Sequence, residues 1–286
     1  MNFMLSLSSK LTILIPTYKR QKELQKKILY LNNYQFKVII VDGSPKPLNK
    51  NFINKNKKIK YIHFPEENRY ERIFLSKKFI KTKYVKLEAD NDYYLPSALL
   101  NSVKYLENNE TYSAVIGKCG LYSKYKDEIY IKQLFKTHES LTHKSFYNRA
   151  QSYIRNFSPA LYHSVLRTSV FNKQIKSLKI CKKIYGNRFD MMAEFCSILI
   201  CCSKGKVKNL NQITWLRSDD DTSKRKNFIG IKKLIGKASN YQFSYDHKML
   251  DLYRSGYLEN FFSILSSEIS TKSNYNLSKK KIKDIF

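Results

Sequence analysis

Two aspartates, Asp90 and Asp92, follow a short apolar run in a chain that is otherwise strongly basic. Carboxylate oxygens are the ligands that Mg²⁺ and Mn²⁺ prefer, and both cations share their coordination with phosphate oxygens. The sequence LEADND, which ends at Asp92 and includes Asn91, therefore predicts a site where a divalent cation meets a diphosphate. The alternative is an Asp/Asn-rich turn, which is common at the end of a strand.

A second polar segment follows the apolar run in ILIPTYKR. We expect a buried strand to deliver four residues to the edge of a sheet, namely Pro16, Thr17, Tyr18 and Arg20. The Tyr18 ring would stack on a nucleobase, while Thr17 and backbone groups would donate or accept hydrogen bonds. An N-cap role for Thr17 at the following helix is the alternative, and the two roles are compatible.

A third polar segment, IIVDGS, ends another apolar run at Asp42 and Ser44. An aspartate after a strand can accept a hydrogen bond from a base imide or a ribose hydroxyl. Asp-Gly is also ordinary turn chemistry, so each segment alone is a weak signal.

Apolar runs and amphipathic stretches alternate through the first half of the chain and predict the elements that position these residues. Continuous apolar runs are typical of strands buried on both faces, and we expect strands at 11–16, 36–42, 59–64, 83–90 and 112–118. The intervening helices imply crossovers and a mostly parallel α/β sheet flanked by helices. Ligands bind beyond the carboxyl ends of such strands, which is where all three polar segments lie.

The second half of the chain is less regular. Helices are expected at 140–156 and 190–202, a strand at 160–167, and one or two strands at 206–217. The expected organisation is one domain over 1–225, divided into a ligand-binding half (1–118) and a second half (119–225), with a small, basic helical C-terminal extension over 226–286. Trp215 and Arg217 end a late strand, where both would contact a substrate, unless Trp215 instead anchors the core.

The net charge of +30 arises from 53 Lys and Arg against 23 Asp and Glu. Such a charge favours an anionic membrane surface, phosphate-bearing ligands or nucleic acid, although a Lys-rich composition alone produces it too. Five cysteines without paired spacing, and no secretory signal, predict reduced thiols in a cytoplasmic protein. The tail, SKKKIKDIF, would dock on the inner face of the cytoplasmic membrane or remain solvated.

Taken in order, ILIPTYKR, VDGS and LEADNDYYLP resemble glycosyltransferase family 2 and its bacterial polysaccharide relatives, over roughly residues 10–118. The resemblance implies a GT-A (Rossmann-like) fold and the transfer of a sugar from a nucleotide-sugar donor in capsule or lipopolysaccharide synthesis. Among such donors, it favours a UDP-sugar. It places Thr17, Tyr18 and Asp42 around the nucleoside, and Arg72 near the diphosphate. It also makes Asp90 and Asp92 a DxD site for Mn²⁺ or Mg²⁺, with Asp92 as the direct ligand. The processive QxxRW motif is missing.

Inverting members of that family use a carboxylate to deprotonate the acceptor hydroxyl, which here belongs to a glycan or a lipid-linked sugar. The sequence NRFDMMAEF offers Asp190 and Glu194, which lie four residues apart and so on one helix face. At the helix start, the dipole keeps Asp190 ionised, which favours it as the base. Capping of the helix by Asp190 is the alternative.

Two other functions compete with the glycosyltransferase interpretation. A sugar-nucleotidyltransferase has a similar sheet, but its first loop is usually rich in glycine, whereas this one reads PTYKR. A non-catalytic nucleic-acid-binding protein would explain the charge. It would not explain two aspartates at a sheet edge, so no nucleic-acid partner is expected.

Overall fold

The computed structural model describes residues 8–53, 58–125, 128–134, 139–155, 162–185 and 189–218. The strands are β1 Leu11–Thr17, β2 Lys37–Asp42, β3 Ile59–His63, β4 Tyr84–Leu87, β5 Tyr93–Tyr94, β6 Tyr112–Tyr125, β7 Glu128–Gln133, β8 Val165–Arg167 and β9 Lys206–Ser218. The helices are α1 Gln21–Asn32, α2 Lys50–Ile53, α3 Arg69–Ser76, α4 Pro96–Asn108, α5 Phe146–Arg155, α6 Thr168–Tyr185 and α7 Phe189–Lys204, with a 3₁₀ turn at Lys77–Phe79.

The described strands form one sheet in the order β3-β2-β1-β4-β8-β6-β9-β5, and β7 pairs with β6 beside this path. Strands β1 to β4 are parallel, and their register sets Thr17 opposite Asp42. Antiparallel pairs are added by β5, β7 and β8, while β9 runs parallel to β6. The predicted α/β fold with a helix-flanked sheet is confirmed, and its sheet as a whole is mixed.

The core lies on both faces of the sheet, which explains why the strand sequences are continuously apolar. Alternate residues of β1 point to opposite faces, so Leu14 belongs to one apolar cluster and Ile13 to the other. The first cluster packs against α3, α5, α6 and α7, and the second against α1 and α4. The apolar face predicted for α1 is buried as expected, at Leu24, Ile28 and Leu31.

Two elements of the second half differ from the sequence prediction. The expected strand at 160–167 begins only at Val165 within the described residues, because residues 162–163 form a 3₁₀ turn instead. Helix α5 begins six residues later than expected, because Leu141 instead forms an isolated bridge with Val207. The boundary predicted at 225 and the C-terminal extension at 226–286 lie outside the described residues. Among the helices described, none has the length and apolar content needed to cross a membrane.

Candidate functional site

A cavity of about 670 Å³ opens at the carboxyl ends of β1 and β4. Seven of the residues singled out in the sequence line it: Pro16, Thr17, Tyr18, Arg20, Arg72, Asp90 and Asn91. The remaining wall is the loop into α3 with the first residue of that helix, 65–69, together with Ala89. Parallel register brings these segments together, because neighbouring strands end at the same edge of the sheet.

Asp90 is a nearly buried carboxylate in the cavity wall, only 6% exposed. Its Oδ2 accepts a 2.7 Å hydrogen bond from the Thr17 hydroxyl, and its Oδ1 lies 3.7 Å from Arg20 Nη1. Burial raises the pKa of Asp90, and the Thr17 hydrogen bond and the Arg20 charge oppose that rise. A cationic ligand at this wall would favour the ionised carboxylate in the same way as Arg20 does.

Asp92 is 4% exposed and is not one of the described residues that line the cavity. Its Oδ2 accepts a 2.8 Å hydrogen bond from Trp215 Nε1, and its backbone carbonyl accepts one from Lys27 Nζ. The two aspartates therefore have different surroundings: Asp90 faces the cavity, whereas Asp92 is held by side chains from β9 and α1.

Lys27 forms an ion pair with Glu88 beneath this loop, and both side chains are almost fully buried. Its ammonium also lies 4.9 Å from the centre of the Tyr93 ring. Burial lowers the pKa of Lys27, and the charges of Asp92 and Asp90 oppose that effect. The Lys27 side chain thus ties α1 to both ends of the segment that carries the aspartates.

Asp42 stabilises the turn after β2 with both carboxylate oxygens. Oδ1 accepts a hydrogen bond of 2.7 Å from the Ser44 backbone N–H, and Oδ2 accepts one of 2.6 Å from the Tyr61 hydroxyl. Asp42 is fully buried and is not among the described residues that line the cavity. For Asp42 to contact a nucleoside, one of these two oxygens would have to accept a second hydrogen bond.

Ser44 connects this turn to the loop after β1. Its hydroxyl oxygen accepts a 2.8 Å hydrogen bond from the backbone N–H of Lys19, whose φ of 55° is unfavourable for a residue with a side chain. The neighbouring Tyr18 side chain is 50% exposed at the cavity. A strained backbone held by a cross-loop hydrogen bond thus presents an aromatic ring to the cavity.

Arg72 lies against the backbone of Gly43, where a Cβ atom would come within 1.7 Å of Arg72 Nη1. Nη1 donates a 2.7 Å hydrogen bond to the Glu67 carbonyl, and the guanidinium carbon lies 6.0 Å from the centre of the Tyr18 ring. Burial lowers the pKa of Arg72, and the charge of Asp42 opposes this. Only glycine at position 43 leaves room for this arginine.

His163 and Trp215 form an aromatic group beside Asp92 that the sequence did not reveal as a unit. Their ring centres lie 3.8 Å apart, and His163 Nδ1 is 3.0 Å from the Tyr94 hydroxyl. Burial lowers the pKa of His163 well below its usual range, so the imidazole is neutral. Local sequence carries no signal for this grouping, because its members come from three distant segments.

Of the two predicted base candidates, only Glu194 has a described side chain, and it is half-buried in α7. Asp190 is the second residue of α7, as the predicted helix start requires. Nothing in the described structure tests whether either carboxylate reaches an acceptor, so the base remains a prediction.

The donor chemistry at the cavity fits a divalent cation. Asp90 places a carboxylate on the wall, and Asp92 lies two residues further along the same loop. Within the described ranges, no group of three or more His, Cys, Asp or Glu side chains forms a complete metal site. A cation here would therefore take its other ligands from phosphate and water, as Mg²⁺ commonly does.

No protein-family model matches the sequence, and no curated protein matches it either. Among solved structures, Staphylococcus aureus TarS 1-349 matches with a TM-score of 0.51 and 13% identity, over 75% of this chain and 62% of that one. TarS 1-349 in complex with UDP-GlcNAc gives a TM-score of 0.48 and 16% identity, over 77% and 60% of the two chains. The likeness to TarS 1-349 shows the fold. This chain spans about three-fifths of the length of TarS 1-349.

Proposed function

We propose that the protein is a glycosyltransferase that binds a nucleotide-sugar in the cavity at the ends of β1 and β4. The observation that carries the proposal is the composition of one cavity wall, where an exposed tyrosine ring, arginines and a nearly buried aspartate converge. An aromatic ring, cationic groups and a carboxylate are what a base, a diphosphate and a cation would require, respectively.

Each residue has a proposed task that follows from its position. Tyr18, half exposed, stacks on the base, and Arg72, which lies near Tyr18 on the same cavity wall, approaches the diphosphate. Arg20 lies beside Asp90 and would bind the diphosphate. Asp90 and Asp92 would hold Mn²⁺ or Mg²⁺, which neutralises the charge that develops on the departing nucleotide.

The donor class we propose is a UDP-sugar. The fold is similar to that of the glycosyltransferase TarS, a protein crystallised with UDP and with UDP-GlcNAc. Proline at the end of β1 and the absence of glycine from PTYKR disfavour a sugar-nucleotidyltransferase, whose first loop is usually glycine-rich. The acceptor we propose is a hydroxyl of a glycan or a lipid-linked sugar in surface polysaccharide synthesis.

A cytoplasmic protein that associates with the inner membrane face would reach a lipid-linked acceptor, and the charge of +30 supports this proposal. The basic tail that would contribute, 279–286, lies outside the described residues. Anionic vesicles should capture the protein at low salt and release it as salt rises. Equal capture by neutral vesicles would contradict an electrostatic association.

The function is tested by a donor screen. Purified protein is incubated with UDP-, GDP- and CMP-sugars, and release of the nucleotide is followed with Mn²⁺, with Mg²⁺ and with EDTA. We expect one of these donors to be hydrolysed or to transfer its sugar. Both EDTA and the Asp90→Asn substitution should abolish this release of nucleotide. Lys26→Met, an exposed change on α1, serves as the matched control and should keep full activity. Release of pyrophosphate from a nucleoside triphosphate and a sugar phosphate would instead establish a nucleotidyltransferase.

The proposed base, Asp190, has a separate test because its loss should affect only proton removal. Asp190→Asn should lower turnover by about 10²–10⁴-fold and leave the affinity for UDP unchanged. If Glu194→Gln shows that loss instead, Glu194 is the base. Retention of the anomeric configuration in the product would contradict an inverting mechanism with either residue.

A further inference from the structure

A tryptophan from the second half of the chain holds the second aspartate of the proposed cation site. The indole Nε1 of Trp215 donates a 2.8 Å hydrogen bond to Asp92 Oδ2, across 123 positions of sequence. Trp215 is 1% exposed, so little water competes for this bond. We propose that Trp215 is a positioning residue that orients the Asp92 carboxylate for a divalent cation, an inference that rests on the metal-dependent function proposed above.

The indole is itself held in one orientation. Pairing of β5 and β9 sets Trp215 opposite Tyr94, and the two rings are nearly parallel, with centres 6.4 Å apart and planes at 17°. His163 packs on the indole at 3.8 Å and lies within hydrogen-bonding distance of the Tyr94 hydroxyl. Rotation of the indole would break these contacts, so the N–H direction, and with it the carboxylate it binds, is fixed by packing.

The arrangement matters because a carboxylate that binds a cation must keep its geometry when the cation is absent. Residues that hydrogen-bond a metal ligand orient it, and their loss typically weakens metal binding about 10- to 100-fold. The hydrogen bond from Trp215 to Asp92 Oδ2 restricts rotation of the carboxylate group. The core alternative is that Asp92 merely satisfies a buried indole N–H, with no consequence for a cation.

The experiment measures Mn²⁺ affinity directly, by electron paramagnetic resonance of free Mn²⁺ with saturating UDP. Trp215→Phe keeps a buried aromatic ring but removes the N–H donor together with the five-membered ring of the indole. We expect a 10- to 100-fold weaker Mn²⁺ affinity, while UDP binding without metal stays within about twofold of the wild type. The matched control is Tyr84→Phe, which removes a hydrogen bond from a buried ring to the Glu107 carboxylate at the opposite end of β4. It should leave the Mn²⁺ affinity unchanged.

A double-mutant comparison shows whether Trp215 acts through Asp92. In an Asp92→Asn background, Trp215→Phe should cause no further loss of Mn²⁺ affinity, because the carboxylate it orients is gone. If Trp215→Phe fails to fold, as judged by circular dichroism, His163→Phe replaces it. That variant keeps a ring against Trp215, loses the contact with Tyr94, and should also weaken Mn²⁺ binding.

Three results would overturn the inference. The first is an equal Mn²⁺ affinity in the wild type and the variant tested, and the second is an additional loss in the Asp92→Asn background. The third is a wild type that binds UDP without binding Mn²⁺, which would also remove the metal from the proposed function while leaving its donor site intact.

Discussion

The buried ion pair between Lys27 and Glu88 should make Lys27→Met strongly destabilising. No hydrogen bond reaches either carboxylate oxygen of Glu88 among the described residues, so the Lys27 ammonium is its compensating partner. Both side chains are at most 1% exposed. Removing one member of such a pair costs about 3–5 kcal/mol of unfolding free energy, because a charge stays buried without compensation. For a chain of this size, that lowers Tm by roughly 10 °C.

Urea unfolding followed by circular dichroism at pH 7 measures this loss. The matched control is Lys26→Met, the exposed neighbour on the same helix, which should change stability by less than about 0.5 kcal/mol. Replacing both partners with methionine should recover most of the stability, because a pair of apolar residues removes the buried charge. If Lys27→Met behaves like Lys26→Met, or if the double variant is no more stable than Lys27→Met alone, the ion pair does not have this role.

Two further predictions concern Gly43 and Glu107. Gly43→Ala should lower the free energy of unfolding by about 1–3 kcal/mol, because its Cβ would overlap the Arg72 guanidinium. The same variant should bind UDP more weakly in calorimetry. Adding Arg72→Ala should restore the stability but not the UDP binding. Burial raises the pKa of Glu107, but hydrogen bonds from two lysines and a tyrosine outweigh this and lower it to about 2. Its stabilising contribution is therefore complete above pH 4.5 and lost towards pH 2. Glu107→Gln should reduce the loss of unfolding free energy between pH 4.5 and pH 2, whereas the exposed Glu110→Gln should leave that loss unchanged.

The sequence predicted the first half of the fold because its signals are local. Apolar runs marked β1 to β4, and the spacing of Leu24, Ile28 and Leu31 marked the buried face of α1. Since parallel strands end at one edge, the polar residues after β1 and β4 could be expected to meet, and Thr17 does contact Asp90.

The second half was harder to predict because its contacts depend on distant pairing. Strand β5 has only two residues, yet its antiparallel register with β9 brings Tyr94 to Trp215. Likewise, the bond between Trp215 and Asp92 has no local pattern that could announce it. For Asp42, the residue type suggested a ligand contact, but both carboxylate oxygens are engaged by the protein itself.

Calorimetry of nucleoside diphosphate binding is the most direct test of the proposed donor site. UDP should bind to the wild type, more tightly with Mn²⁺. Tyr18→Ala should weaken that binding roughly tenfold or more, since stacking on an aromatic ring contributes about 1–3 kcal/mol per base. Because Tyr18 is half exposed, the variant should keep its stability, and the exposed Leu29→Ala should bind UDP like the wild type. No binding of UDP, GDP or CDP, with or without Mn²⁺, or equal binding by Tyr18→Ala, would contradict the account.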